Sequence, residues 1–189
     1  SDCRVDLYER FSDEDLINRE RTYAITHSSR KILEKLNIWD KILPELISFQ
    51  FLNLVDYQIN RIVEFNTNDL PLSYRRTTSV GWIAEHSKIM ASLLSIISQN
   101  DNINSIPTSV IPNTNNYDLI IAADGQNSIT KKKLKTSYFS FNYDQVCITV
   151  KALLRGVKSN EAFEILSPDG PFALLPLGGD LFQIICSQS

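Results

Sequence analysis

The stretch Tyr117-Asp-Leu-Ile-Ile-Ala-Ala-Asp-Gly-Gln-Asn-Ser-Ile-Thr-Lys131 constrains this chain more than any other. Leu119 to Ala123 is an unbroken apolar run without period-2 alternation, the pattern of a parallel strand covered on both faces. Asp124 and Gly125 follow at its carboxyl end, where open α/β sheets place their ligand-binding crevices. Gly125 allows a close backbone approach, and Asn127 or Ser128 can cap the helix that starts beyond it. An Asp-Gly turn alone says little. Its position between an apolar strand and the basic run Lys131-Lys-Lys133 with Lys135 is what makes it informative. Such a run is ordinarily a solvated helix face, with contact to a phosphate-bearing cofactor as the sharper alternative.

Upstream, Arg4-Val-Asp-Leu-Tyr-Glu9 alternates polar and apolar residues and predicts a strand ending in a carboxylate. It starts almost at residue 1, so a preceding sheet partner is expected upstream. Ser28 to Leu36 predicts a helix whose apolar face continues through Trp39, Ile42 and Leu43 to Pro44. Phe49–Val55 and Arg61–Phe65 read as strands. Residues 66–78, with Pro71 and the Arg75-Arg76 pair, read as a loop. His86 to Gln99 predicts a second helix with a core-facing stripe of Ile89, Met90, Leu93, Leu94 and Ile97. Asn100 to Asn104 reads as a turn, and Ile106 to Ile111 as a short strand interrupted by Pro107. After the Asp-Gly turn come four strand-like runs, Val146–Leu154, Ala162–Leu166, Phe172–Leu175 and Leu181–Cys186, separated by turn residues. Strand–helix units followed by a run of strands predict an α/β nucleotide-binding portion passing into an antiparallel β portion.

With 189 residues and a net charge of −3, the chain suits one well-buried domain or one domain plus part of another, and not a general nucleic-acid binder. Cys3, Cys147 and Cys186 form no CxxC pair, so a disulfide framework is not expected and a reducing cytoplasm fits. His27 and His86 have no metal-ligand spacing. His27 is expected as a capping or surface residue. No run is long and apolar enough to span a membrane.

Glu9, at the end of an early strand, stands where dinucleotide-binding folds place a carboxylate for an adenosine ribose. Arg21, in a loop, is of the type that reaches a pyrophosphate. Taken singly, each is as well explained by a surface side chain. Taken in order with Val5-Asp-Leu-Tyr-Glu-Arg10, Arg21-Thr-Tyr-Ala-Ile-Thr-His-Ser-Ser, Gly81-Trp-Ile-Ala-Glu-His86, Asp124-Gly125 and Gly170-Pro-Phe-Ala-Leu-Leu-Pro176, they resemble the flavoprotein aromatic hydroxylases of the para-hydroxybenzoate hydroxylase type. The likeness is greatest to the branch that hydroxylates polyprenyl phenols in ubiquinone biosynthesis.

That resemblance implies a partial FAD/NAD(P)-binding Rossmann-like domain followed by part of an antiparallel β substrate domain. Its parts would be 1–48, a partial FAD-binding portion; 49–80, a β insertion contributing to the substrate domain; 81–140, FAD-binding with the Asp-Gly motif; and 141–189, a partial substrate sheet. It implies that Glu9 binds the adenosine ribose of FAD, that Arg10 lies beside the adenine and that Arg21 reaches the pyrophosphate or ribityl region. Asp124 and Gly125 would belong to a motif serving both FAD and the pyridine nucleotide. NAD(P)H is the implied electron donor and a small aromatic molecule, a prenylated phenol, the implied substrate, with peripheral membrane contact through that lipophilic substrate. No residue is identified as a catalytic acid or base.

The chain also departs from the family. Lys131 and Ser87 stand where relatives carry arginine. No GxGxxG turn occurs near the start, and Ser189 precedes the family's later Gly-Asp motif. The expectation is therefore an internal fragment of a longer hydroxylase. Alternatives are another flavoenzyme on the same scaffold, a halogenase or a geranylgeranyl-reductase-like protein, or a truncated chain that binds no FAD.

Overall fold

A computed structural model describes residues 3–74 and 77–188; the expected Arg75-Arg76 pair lies outside them. The chain opens with β1 (Val5–Glu9), α1 (Asp13–Ile17), β2 (Thr22–Ile25), α2 (His27–Lys35), α3 (Trp39–Ile42), β3 (Leu46–Phe49), β4 (Phe51–Asp56) and β5 (Arg61–Phe65). It continues with β6 (Gly81–Glu85), α4 (His86–Ser98), β7 (Ile103–Pro107), α5 (Ile129–Lys133), β8 (Val146–Leu153), β9 (Glu161–Ser167), β10 (Gly170–Pro176) and β11 (Leu181–Gln188).

These strands form three sheets. β1 pairs in parallel with β7, from Val5 opposite Ile103 to Glu9 opposite Pro107. β2, β6 and β3 form an antiparallel sheet with β6 in the centre, and the largest sheet has the order β5-β4-β9-β10-β11-β8. Within it β4 runs parallel to β9 and the other neighbours are antiparallel.

β6 explains how the layers join. Its side chains alternate between faces, and Gly81 to Ala84 are all buried. Ile83 enters a cluster with Phe49, Ala162 and Leu177, against which Leu52, Leu175 and Leu181 of the large sheet pack. Trp82 faces the other way, with Trp39 and Ile42, against Leu33 of α2 and Ile89 of α4. The three-stranded sheet is thus covered by the six-stranded sheet on one face and by helices on the other.

Helix ends follow local chemistry. Ser12 and Asp15 form a reciprocal capping box on α1, which the sequence reading passed over although Ser-x-x-Asp is its signature. Thr26 caps α2 and Ser128 caps α5 through side-chain oxygens. The stripe of α4 is half-buried, with Ile89 reaching the aromatic cluster.

Three expectations need correction, and one sheet was not anticipated. Leu119–Ala123 is not a covered strand: the segment pairs with no strand among the described residues, and Leu119 and Ile121 are 75% and 77% exposed. An apolar run specifies burial only if strands flank it, and here neither edge is paired. The strand expected at Ile106–Ile111 is β7, offset to Ile103–Pro107, because its partner β1 spans Val5–Glu9 and sets that register. β2, β3 and β6 were not anticipated as a sheet. His27 is buried at the start of α2, edge-on to Trp82 at 5.0 Å and beside Tyr74 at 4.8 Å.

Candidate functional site

The Asp-Gly turn is built around the Asp124 carboxylate. Asp124 Oδ1 accepts the Ser128 hydroxyl at 2.5 Å and Oδ2 accepts the Thr130 N–H at 3.0 Å, while Ser128 Oγ accepts the Lys131 N–H at 2.9 Å. The Ser128 hydroxyl first, then the Thr130 amide, hold the Asp124 carboxyl well below the usual range, at about 2. Both carboxylate oxygens are therefore engaged with the helix start. Gly125 has φ 75°, and a Cβ placed on it would meet nothing within 4 Å. Its glycine is required by the left-handed backbone and leaves the turn open on that side.

Glu9 lies half-buried at the end of β1, where its Oε1 accepts the Phe11 N–H at 3.0 Å and its carbonyl accepts the Thr108 N–H. Arg10 does not lie free: its guanidinium sits 4.5 Å from the Phe11 ring centroid, and Arg19 sits over the same ring at 5.0 Å. Arg21 precedes β2 with its carbonyl fixed by the His86 N–H, while its exposed side chain has no ion-pair partner among the described residues. None of Glu9, Arg10, Arg21, Asp124 and Gly125 hydrogen-bonds another of the five among the described residues.

A link between the strand of Glu9 and the segment of Asp124 was missed in the sequence. Tyr117 donates to Asp6 Oδ2 at 2.6 Å and stands 2.6 Å from the Tyr8 hydroxyl, while Asn104 of β7 donates to Asp6 Oδ1 at 3.1 Å. Asp6 and Tyr8 project from the same face of β1, so Tyr117 bridges two successive side chains. Tyr117 and Asn104 hold the Asp6 carboxyl below its usual value, and Asp6 pushes the Tyr117 hydroxyl far above its own. The segment leading to Gly125 is thereby tethered to the strand that ends in Glu9. The signal available was an i, i+2 Asp/Tyr pair on a predicted strand, too common to single out.

Neither histidine forms part of a metal site; among the described residues no three His, Cys, Asp or Glu side chains are grouped to hold an ion. His86 Nε2 lies 2.6 Å from the Leu16 carbonyl, which can only accept, so that nitrogen carries the proton. Its Nδ1 then accepts the Tyr23 hydroxyl at 2.6 Å. His27 Nε2 likewise donates to the Ser79 carbonyl at 3.0 Å, and its buried Nδ1 has no hydrogen-bond partner among the described residues. Both rings serve to join elements around α2 and α4.

No protein-family profile matches the chain. Among curated proteins it is 27% identical to the ubiquinone biosynthesis monooxygenase COQ6, mitochondrial, of Dictyostelium discoideum, over 89% of this chain and 42% of that protein. It is 25% identical to the ubiquinone hydroxylase UbiM of Neisseria meningitidis, over 83% of this chain and 38% of that one. The fold matches a Klebsiella pneumoniae HpxO variant solved with FAD, with a TM-score of 0.71 and 14% identity, over 95% of this chain and 49% of that structure. The chain spans less than half the length of the curated relatives described. It is related to the ubiquinone-biosynthesis monooxygenases and has the fold of FAD-dependent monooxygenases, as its ordered motifs suggested.

Proposed function

We propose that this relative of the ubiquinone-biosynthesis monooxygenases supplies part of the flavin site and part of the substrate sheet of a FAD-dependent hydroxylase acting on a prenylated phenol, with NAD(P)H as electron donor. The observation that carries the proposal is the Gly125 turn, open to solvent and tethered through Tyr117 to the strand that ends in Glu9. A ligand that needs a carboxylate at one strand end and unobstructed backbone at another fits that arrangement.

The residues fit FAD in part. Glu9 Oε1 is taken by the Phe11 amide, and Oε2 remains for a ribose hydroxyl. Arg21, with no ion-pair partner among the described residues, offers a cation for a pyrophosphate. Gly125 is suited to backbone contact, whereas Asp124 holds the helix start and orients Gly125. Arg10 would have to leave Phe11 to meet an adenine. FAD, when bound, supplies electron transfer and dioxygen activation. The chain's own contribution is to orient the ring and exclude water through the apolar side chains of β9, β10 and β11. The portions 1–48, 49–80, 81–140 and 141–189 are proposed as alternating contributions to the two halves of that site; β4 and β5 share the large sheet with β8–β11.

A second reading, that this chain alone folds but does not hold FAD, is favoured by the two-strand size of the β1–β7 sheet and by the exposure of Leu119 and Ile121. Titrating the purified chain with FAD while following flavin fluorescence separates the two. Saturable quenching at micromolar cofactor that weakens in Glu9→Gln supports the first, and no quenching supports the second.

A further inference from the structure

We propose that Gln183 holds the ring oxygen of the substrate, an assignment that rests on the hydroxylase reading above and gives it a specific polar contact. Side chains alternate between faces along β11. Leu181 packs against the cluster of Phe49, Ile83, Ala162 and Leu177, so Gln183 and Ile185 project from that same face, toward the three-stranded sheet. In the register of the large sheet Gln183 stands between Leu175 of β10, which also packs on the cluster, and Lys151 of β8. Gln183 is 5% exposed. A carboxamide is thus set into an apolar strip, at the point where the strip gives way to the ion pair of Lys151 with Glu85.

The side chain of Gln183 makes no hydrogen bond among the described residues. Its neighbours in register cannot supply one. Lys151 Nζ is held by Glu85 Oε2 at 2.6 Å, the other Glu85 oxygen takes Lys88 at 3.0 Å, and Leu175, Leu181 and Ile185 are apolar. Nor is the amide sealed into the core. Among the described residues, His27 Nδ1 is the single polar side-chain atom both shut off from solvent and unpartnered, so the Gln183 amide keeps an open side. A buried amide without a partner is unfavourable, and native structures nearly always satisfy it. A ligand group completes this one.

The chemistry of that group follows from the carboxamide. It offers a donor and an acceptor and carries no charge. A neutral hydroxyl, which can both donate and accept, is its natural complement, whereas a carboxylate is better met by a cation. Lys151 does not provide that cation, being engaged by Glu85. Leu175, Leu181 and Ile185 on the same face offer apolar surface to the ring and its prenyl chain. An oxygen anchored at Gln183 fixes which edge of the ring turns inward. The residue therefore orients a phenol and selects against its deoxy and carboxylate analogues.

Isothermal titration of the full chain, without FAD, tests this with 2-prenylphenol and with prenylbenzene, which lacks only the oxygen. The parent is expected to bind the phenol about tenfold more tightly, because the hydrocarbon leaves the amide unpaired. Gln183→Met keeps the length of the side chain and removes the amide, so it should bind the two ligands within about twofold of each other. Its urea midpoint should equal or exceed that of the parent, since no internal hydrogen bond is lost. A parent that binds neither ligand, or both equally, would overturn the proposal, as would discrimination that survives in Gln183→Met. A lowered urea midpoint in Gln183→Met would overturn it too, by showing that the amide serves an internal, water-filled network. Tighter binding of the corresponding prenylbenzoate would refute the choice of a neutral hydroxyl. Flavin quenching is read separately: if it is absent while the phenol is still discriminated, the flavin reading fails and the role of Gln183 stands.

Discussion

Asp124 and Ser128 are joined by a 2.5 Å hydrogen bond in which the serine donates to the carboxylate, and the same serine caps α5 by accepting the Lys131 N–H. One carboxylate thus fixes the residue that fixes the helix. Replacing Asp124 by Ala is expected to raise amide exchange at Thr130 and Lys131, with Asp124→Asn intermediate because it keeps an acceptor. The folded value of about 2 lies below the ordinary 3.8, so the contribution is complete above about pH 4 and fades as pH falls through 2. The Thr130 amide chemical shift, followed by acid titration, should report that midpoint. A midpoint at the ordinary carboxylate value would refute the hydrogen-bond account.

Glu85 connects two layers. It ends β6 with its side chain between Lys151 of β8 at 2.6 Å and Lys88 of α4 at 3.0 Å. Lys151 is the main cause of its lowered carboxyl value. Because both lysines are largely solvated, a double-mutant cycle with Glu85→Gln and Lys151→Met should give a coupling of about 0.5–1 kcal/mol. The folded carboxyl lies below its ordinary 4.5, so this stability is present above that pH and is lost as pH falls through the lowered value. Coupling that survives in molar salt would contradict an exposed ion pair.

Two glycines separate backbone demand from space. At Gly170, with φ 133°, a Cβ would overlap the Ser187 carbonyl oxygen, so Gly170→Ala should destabilise by roughly 2–4 kcal/mol. Gly125 has open space and only its φ of 75° to satisfy, so Gly125→Ala should cost about 1–2 kcal/mol. Urea unfolding of the free chain measures both. If FAD affinity falls in Gly125→Ala by no more than in a destabilised control such as Gly170→Ala, Gly125 has no contact with the cofactor.

The parts legible in the sequence were those fixed by local pattern. β1, α2, α4 and the four C-terminal strands follow from periodicity and turn residues, and Ser128 as a cap follows from its position before a helix. What was lost depends on partners far away in the chain. The run Leu119–Ala123 has the composition of a buried strand, but burial comes from flanking strands that the run does not encode. The strand Gly81–Glu85 carried a comparable apolar run and is buried because β2 and β3 pair with it, from positions more than thirty residues upstream. Of the candidate site, motif reading could only nominate Glu9, Arg21, Asp124 and Gly125 one by one, while the tether through Tyr117 and Asp6 spans 111 positions and could not be anticipated. The engagement of Arg10 with Phe11 was equally invisible, since an exposed arginine beside an aromatic residue is ambiguous until the chain turns.

The Tyr23–His86–Leu16 chain is the most exacting of these long-range contacts. The Leu16 carbonyl sets the tautomer of His86, and only then can Nδ1 accept from Tyr23. Tyr23→Phe removes the donor and leaves a buried acceptor unsatisfied, a loss of about 1–2 kcal/mol. His86→Phe removes both ring nitrogens and leaves the Leu16 carbonyl and the Tyr23 hydroxyl without their partner, so it should cost more than Tyr23→Phe. Combining the two should cost less than their sum, because both act on one network. Chemical denaturation of the four proteins decides the point. Strict additivity would mean that Tyr23 and His86 stabilise the fold independently, through packing and not through the shared hydrogen bond.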